Sequence, residues 1–508
     1  METRKLDILF VHTNSSKKVY QDLAKSHSAI EPPIWAAMLA KHCQIKGFGV
    51  QILDCEAERL SADESAKAIN NIDANVVCFV VYGQQPSASS QNMVGAIEAA
   101  NLLKQLDPVR KVLFVGGHVA APPRQVLQDE AAIDYICQNE GVYTISNLLE
   151  AMRHGSFDVA KIKGLGYKDS DGNPILNPTE RIVAKADLER DLPGMAWDLL
   201  PDIKKYRTAG WHSWANNADK SPFAALYTSL GCPYKCSFCM INIINRTNSA
   251  PHIASSDSNV FRWWSPEYII QQFDFFAEMG VKNVKIADEL FVLNPRHFLK
   301  ICDLLIERDY GFNIWAYSRI DTCKSKYMDK LKKAGVNWLG LGIENPNQTL
   351  RQEVHKDSFK EVRINDIMDT MRSAGINVAA NYIFGLPMDT AESMQSTLDF
   401  SIEHMAEMVN FYCAMAYPGS PLNLQARKNG WKLPDSYIGY SQHAYETQNL
   451  PNANLTAPQI LEFRDKAWMK YHTNPKYLDL LETKFGPNAR TNLEQTTKIK
   501  LKRKLLGD

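Results

Sequence analysis

The chain is read as an α/β protein in two parts: a doubly wound, Rossmann-like domain, then a partial (β/α)6 barrel with a helical C-terminal region. Three observations predict this. Short apolar runs alternate with helical stretches over residues 1–150, the pattern of parallel strands joined by helical crossovers. A second alternation with six strands occupies about 223–422. The stretch 458–486 carries apolar residues at helical spacing with no strand between, so it packs as a cap. The boundaries expected are 1–155, a connector at 156–220, the barrel at 221–422, and helices over 423–508.

In the first part, strands are predicted at 7–12, 50–55, 76–82, 112–117 and 133–138. Helices are predicted between them at 32–47, 61–72, 88–106 and 122–129. Ligands of parallel sheets lie outside the carboxyl ends of the strands. Those ends here are 83–90, 116–121 and 139–143, rich in small or polar residues that let backbone approach a large flat ligand. Ser87, Ser89, Ser90, Gly116, Gly117, His118, Glu140 and Gly141 are the candidate contacts. Neither a G-x-G-x-x-G fingerprint nor a P-loop occurs, which argues against a dinucleotide or nucleotide. A flavodoxin-like domain that has lost its ligand is the competing reading.

The connector begins with a hairpin over 164–182, turning at Asp171-Gly172. A proline-punctuated crossing follows at 191–206. Trp211, Trp214, Trp263 and Trp264 are read as packing residues, with lining of a substrate mouth as the alternative.

Barrel strands are predicted at 224–232, 284–291, 313–321, 338–345, 378–387 and 411–420. Helices at 266–279, 296–308, 325–334, 358–374 and 391–405 separate them. Chemistry in such barrels sits at the carboxyl ends of strands. Those ends carry Asp288, Glu289, Ser318, Arg319, Glu344, Gly385 and Tyr417. At Asp288 and Glu289, helix capping at a strand–helix junction is the plainer alternative.

The first barrel strand runs into GCPYKCSFCM, where Cys232, Cys236 and Cys239 follow a C-x3-C-x2-C spacing with Phe238 before the last. Thiolates bunched on a loop bind soft metal. A four-iron cluster normally takes one thiolate per iron, so three would leave one iron open. A structural zinc site needs four ligands, yet no fourth cysteine lies nearby and His252 is the nearest histidine downstream.

Composition limits the alternatives. Lys+Arg and Asp+Glu number 57 each among 508 residues, so no global charge favours nucleic acid or an anionic membrane. A basic run closes the chain (Lys498, Lys500, Lys502, Arg503, Lys504), and it is read as a solvated end. Apolar runs are of strand length and the N-terminus lacks a signal-peptide layout. Seven further cysteines are scattered, several within strand-like runs, as in a reduced cytoplasmic protein. A monomer is expected.

Taken in order, these motifs resemble the cobalamin-dependent radical S-adenosylmethionine (SAM) family, and the likeness spans nearly the whole chain. In that family the open iron of a [4Fe-4S] cluster chelates the amine and carboxylate of SAM. The resemblance implies Cys232, Cys236 and Cys239 as cluster ligands. It implies SAM contacts at Phe238, Asp288, Glu289, Ser318, Arg319, Glu344, Gly385 and Tyr417, with the two acids receiving the amine and Glu344 the ribose. The first domain resembles the family's cobalamin domain through PPIWAAMLA, VGGH and QNEG. It lacks D-x-H-x-x-G, which implies a displaced nucleotide tail and no protein histidine on cobalt. Reductive cleavage of SAM, methyl transfer from methylcobalamin to a small molecule, and a flavodoxin or ferredoxin as electron donor are the implied activity. A radical cyclisation, rearrangement or oxidation without methylation is the alternative, and a non-catalytic corrinoid or electron carrier lies outside enzymology.

Overall fold

The computed structural model describes residues 5–25, 28–83, 88–155, 157–216, 219–248, 254–356 and 363–508. Its first sheet contains β1 (Leu6–His12), β2 (Val50–Asp54), β3 (Ala74–Val80), β4 (Lys111–Val115) and β5 (Tyr135–Cys137). All are parallel, in the order β2-β1-β3-β4-β5. The connector hairpin then adds β6 (Leu165–Lys168) and β7 (Pro174–Leu176) antiparallel at the β5 edge. It therefore belongs to the first sheet by hydrogen bonding.

The helices between the strands have visible local causes. Ser61 caps Ala62–Asn70 with a full capping box, its side chain accepting from Glu64 and Glu64 returning the bond. The long helix Ala88–Leu106 turns Met93, Ala96, Ala100 and Leu103 into the core at helical spacing.

The second sheet is the partial barrel. A short ribbon of β9 (Ser229–Leu230) and β10 (Arg262–Trp263) follows its first strand, β8 (Phe223–Leu226). The others are β11 (Asn283–Ile286), β12 (Asn313–Arg319), β13 (Val336–Glu344), β14 (Asn377–Phe384) and β15 (Met408–Cys413). Six strands, β8 and β11 to β15, pair in sequence order and all in parallel. Outer helices Pro266–Glu278, Pro295–Arg308, Ser325–Lys333, Ile364–Ser373 and Ala391–Glu403 occupy the predicted intervals. Residues 358–362 of the predicted fourth helix lie outside the described residues.

Three helices, Ala457–His472, Pro475–Phe485 and Pro487–Thr497, close the chain. The basic tail departs from the expected solvated end at one residue. Arg503 is 1% exposed, donates to Asp465, and reaches the carbonyls of Gln442 and Ala444. Burial of a guanidinium is tolerable there because both its charge and its N–H groups are answered.

One hydrophobic core runs through both parts, from Phe10 and Trp35 to Phe411 and Tyr471. Polar bonds cross the same seam. Arg262 of β10 donates to Glu140, after β5, at 2.7 Å, and both side chains are buried. Arg246 donates to the carbonyl of Ala120 at 2.8 Å. Replacing Arg262 with Ala leaves Glu140 a buried charge without a counter-ion, at a cost of about 3–5 kcal/mol. The expected outcome is a lowered midpoint in denaturant unfolding.

Candidate functional site

A cavity of about 1200 Å³ opens between the carboxyl ends of the two sheets. His12, Tyr82, Gly83 and Asn92 line it from the first sheet, and Cys232, Cys236, Cys239, Glu289, Arg319 and Glu344 from the barrel. The C-terminal region contributes Arg464, Trp468 and Arg503. Trp211, read from the sequence as packing, also reaches the wall while stacking edge-on against Trp315 and Trp338.

The three thiols share the barrel mouth. They are partly exposed and close enough to disfavour one another's ionisation. Burial raises all three, Cys232 to about 12. Lys356 and Arg319 act against this at Cys236, with an Arg319 nitrogen 3.8 Å from its sulfur. Arg319 is itself held by Asp321 at 2.9 Å and lies 3.8 Å over the ring of Tyr234. Among the described residues, no three His, Cys, Asp or Glu side chains converge on a position for a single ion. A cubane cluster takes each thiolate on a different iron, which calls for a wider spread of sulfurs. Three thiols on one loop, facing one cavity, fit that group, and iron would supply the positive charge their ionised forms need.

The two acids after β11 separate sharply. Asp288 faces away from the cavity and accepts from the Thr228 amide at 2.6 Å, the Thr228 hydroxyl and the Ser229 hydroxyl. These bonds oppose the burial that lifts its pKa to about 6. Glu289 lines the cavity, and its Oε2 is buried with no hydrogen-bond partner. Burial lifts it to about 8. An ammonium beside it would favour its ionised form, so an open, desolvated carboxyl group beside the thiols fits the ammonium of SAM. Asp288 instead ties the end of β8 to that of β11.

Glu344 ends β13 with a φ of +61°, a left-handed conformation that costs a non-glycine residue about 1–3 kcal/mol. The backbone shift there swings its carboxylate into an ion pair with Lys356. A side chain at Gly342 would meet Lys356 Nζ at 2.5 Å and Glu344 Oε1 at 2.7 Å, so the pair as it stands fills the space that glycine leaves. Lys356 carried no sequence signal, since its loop lies far from any motif. Ser318 lines the cavity and shares its hydroxyl with Thr322 and Cys323. Phe238 and Tyr417 also line it. Gly385 does not, because Ile460 of the C-terminal helix covers it.

The predicted contacts of the first domain are arranged differently. Ser90 meets His118 Nδ1 at 2.7 Å, and Ser89 accepts from the His118 amide. Burial pushes the His118 pKa down to about 3. Gly117 packs under Met240, Gly141 against Val115 and Cys137, and Gly116 against Val81. Glu140 is committed to Arg262. None of these lines the cavity, and Ser87 lies outside the described residues. The cavity wall here is made by the ends of β1 and β3, where small residues such as Gly83, Ala88 and Ala36 leave a broad face for a flat macrocycle. His12 is on that wall, with Nε2 turned to Glu56 at 3.4 Å.

A cysteine-bearing parallel barrel thus faces a Rossmann-like sheet across one cavity. The Radical SAM superfamily profile matches residues 226–401 and the B12 binding domain profile residues 21–149. The chain therefore combines a B12 binding domain with a radical SAM domain, the arrangement of cobalamin-dependent radical SAM enzymes, whose cofactors are a [4Fe-4S] cluster, SAM and cobalamin. It is 25% identical to an uncharacterized methyltransferase of Pyrococcus horikoshii over 88% of this chain and 89% of that one. It is 24% identical to an anaerobic magnesium-protoporphyrin IX monomethyl ester cyclase of Rubrivivax gelatinosus, covering 82% and 69%. The radical SAM methyltransferase TsrM of Kitasatospora setae, solved with cobalamin and a [4Fe-4S] cluster, shares the fold at a TM-score of 0.67. That match has 15% identity and covers 97% of this chain and 99% of TsrM.

Replacing Cys232, Cys236 and Cys239 with Ala is expected to abolish the visible absorption of an anaerobically reconstituted cluster, together with SAM cleavage. Retained iron, or stoichiometric zinc in its place, would count against that assignment. The two acids should differ in kind. Glu289→Gln is expected to weaken SAM binding roughly tenfold or more, the loss of a charge-assisted bond. Asp288→Asn should chiefly lower the unfolding midpoint, which calorimetry can separate from SAM affinity.

Proposed function

We propose that the protein methylates an unactivated carbon of a small molecule held in the shared cavity. The observation that carries this reading is the single cavity onto which the thiol loop and the cobalamin-domain wall both open. A cluster held there would supply the one electron that splits SAM into methionine and a hydrogen-abstracting 5′-deoxyadenosyl radical, and cobalamin would supply the methyl carrier. Cys232, Cys236 and Cys239 would hold the cluster, Glu289 the SAM ammonium, and Glu344 with Lys356 the ribose side. Arg319 is placed to balance negative charge at Cys236. Apolar walls from Ile34, Trp35 and Tyr82 exclude water from the gap between them.

His118 is turned into the core and His12 towards Glu56, which supports cobalamin bound without a protein histidine. A small electron carrier such as flavodoxin or ferredoxin is the proposed reductant, and the protein is proposed to act as a cytoplasmic monomer. The described helices include none long and apolar enough to cross a membrane. The domain limits 1–155, 156–220, 221–422 and 423–508 are kept as the proposed working units, with the hairpin of the second attached to the first sheet.

The similarity to a cyclase favours a second reading, radical ring formation without methyl transfer. By-products separate the two. One SAM must leave as 5′-deoxyadenosine, and another that has given up its methyl as S-adenosylhomocysteine. One equivalent of each per methylated product is expected, with both lost when cobalamin is withheld. Product and 5′-deoxyadenosine without S-adenosylhomocysteine would establish the cyclising alternative.

A further inference from the structure

The barrel lumen beneath the thiols contains a cation that the proposed chemistry does not use. Lys285 lies on β11, four residues before Glu289, with its side chain 2% exposed, and it lines the cavity. Its Nζ is 4.7 Å from the ring centre of Trp315. Its one ion-pair partner among the described residues is Glu31 of the first domain, whose oxygens stand at 3.0 and 3.1 Å. The two partners differ in their surroundings. Glu31 is 29% exposed on the side-chain scale, and it too lines the cavity.

Asymmetry of this kind has a consequence. A buried ammonium needs an anion, and removing that anion without replacement is costly. Burial holds the Lys285 pKa below the ordinary lysine value, with Glu31 acting against it. Glu31, partly exposed, has solvent on one side into which its carboxylate can turn, while the bridge between Ile30 and Arg207 holds the backbone beside it. Once in the wet part of the cavity, its carboxylate is solvated. Lys285 has no such option.

We propose that Lys285 receives a carboxylate of the substrate, and that Glu31 occupies this position until the substrate displaces it. The substrate is then an organic carboxylate with a flat apolar body. Glu31 at two similar distances shows that the position accepts a carboxylate. Trp315 and Tyr317 line the same part of the cavity, packed edge-on at 4.9 Å, and Gly340 lets the Tyr317 ring lie flat against the strand, so the wall beside Lys285 is aromatic. The amide of Asn381 donates to the carbonyls of Leu341 and Ala379 and accepts from Asn410, so its direction is fixed by the strands around it. A molecule anchored at Lys285 would extend towards the mouth where Glu289 and the thiols lie.

The inference rests on the reading of this cavity as a substrate chamber, but its test needs no turnover. Cluster-loaded, cobalamin-loaded protein is titrated anaerobically with 1-naphthaleneacetate and with its neutral counterpart, 1-naphthaleneethanol, following tryptophan fluorescence. Wild-type protein should prefer the carboxylate. Lys285→Met should weaken the carboxylate roughly tenfold or more while changing the alcohol little. Glu31→Gln should tighten the carboxylate several-fold, since it removes the competing anion. An ion pair that merely joins the domains predicts the opposite, with both substitutions loosening the structure and neither improving binding. Tighter binding by Glu31→Gln therefore supports the proposal even if Lys285→Met fails to fold. Absence of carboxylate preference in the wild type, including failure to bind either probe, overturns it, as does weaker carboxylate binding in Glu31→Gln. Loss of 5′-deoxyadenosine formation in the wild type would instead count against the radical SAM chemistry, leaving these titrations to be judged separately.

Discussion

Two parallel sheets point their carboxyl ends at one cavity, and two of the charges taken out of water where they meet are answered from the opposite domain. Arg262 finds Glu140, and Lys285 finds Glu31. Pairs like these add little net stability over apolar contacts, but an incomplete pair is heavily penalised. They therefore discriminate between alternative dockings of the two domains. The hydrophobic core supplies the adhesion, running unbroken beneath them. The stack of Trp35 on Tyr82 at 4.5 Å, with Tyr227 of the barrel domain at 6.4 Å, shows how closely the two are joined.

Within this frame three carboxylates at strand ends have become different reagents. Asp288 is saturated with donors and is part of the scaffold. Glu289, one residue on, keeps an oxygen free in a dry wall. Glu344 is turned by an unfavourable backbone angle to meet Lys356. The difference lies in which donors surround each group, since the chemical group is the same. Held this way, the polar atoms need little reorganisation when a charged ligand arrives, which is where preorganised sites gain most.

The fold and the thiol loop belong to a whole family, whereas the lumen is where members with different substrates must differ. Here the lumen combines a cation with indole, phenol and amide groups: Lys285, Trp315, Tyr317 and Asn381. The similar methyltransferase and cyclase are only 25% and 24% identical to this chain.

Both parallel sheets were legible in the sequence, because a strand buried on two faces must be an apolar run and a crossover helix must be amphipathic. The thiol loop was legible too, since metal chemistry demands a residue type at a local spacing. The connector hairpin was readable as a hairpin, but its attachment to β5 was not, because pairing at a sheet edge leaves no local mark. The site was less legible. Asp288 and Glu289 look equivalent in the chain, and only the placement of Thr228 and Ser229 decides which one is satisfied and which is open. Arg503 reads as part of a solvated basic tail until Asp465 and two carbonyls are brought around it. Lys356 lies in a stretch with no motif and Glu31 just before one, and both acquire meaning from partners 12 and 254 residues away. Periodicity and local spacing are short-range properties of the chain, so the sequence determined the two domains, their order and the cysteine loop. Desolvation and hydrogen bonding are summed over neighbours from every part of the chain, so only the tertiary structure decided which charged groups face the cavity and which hold it together.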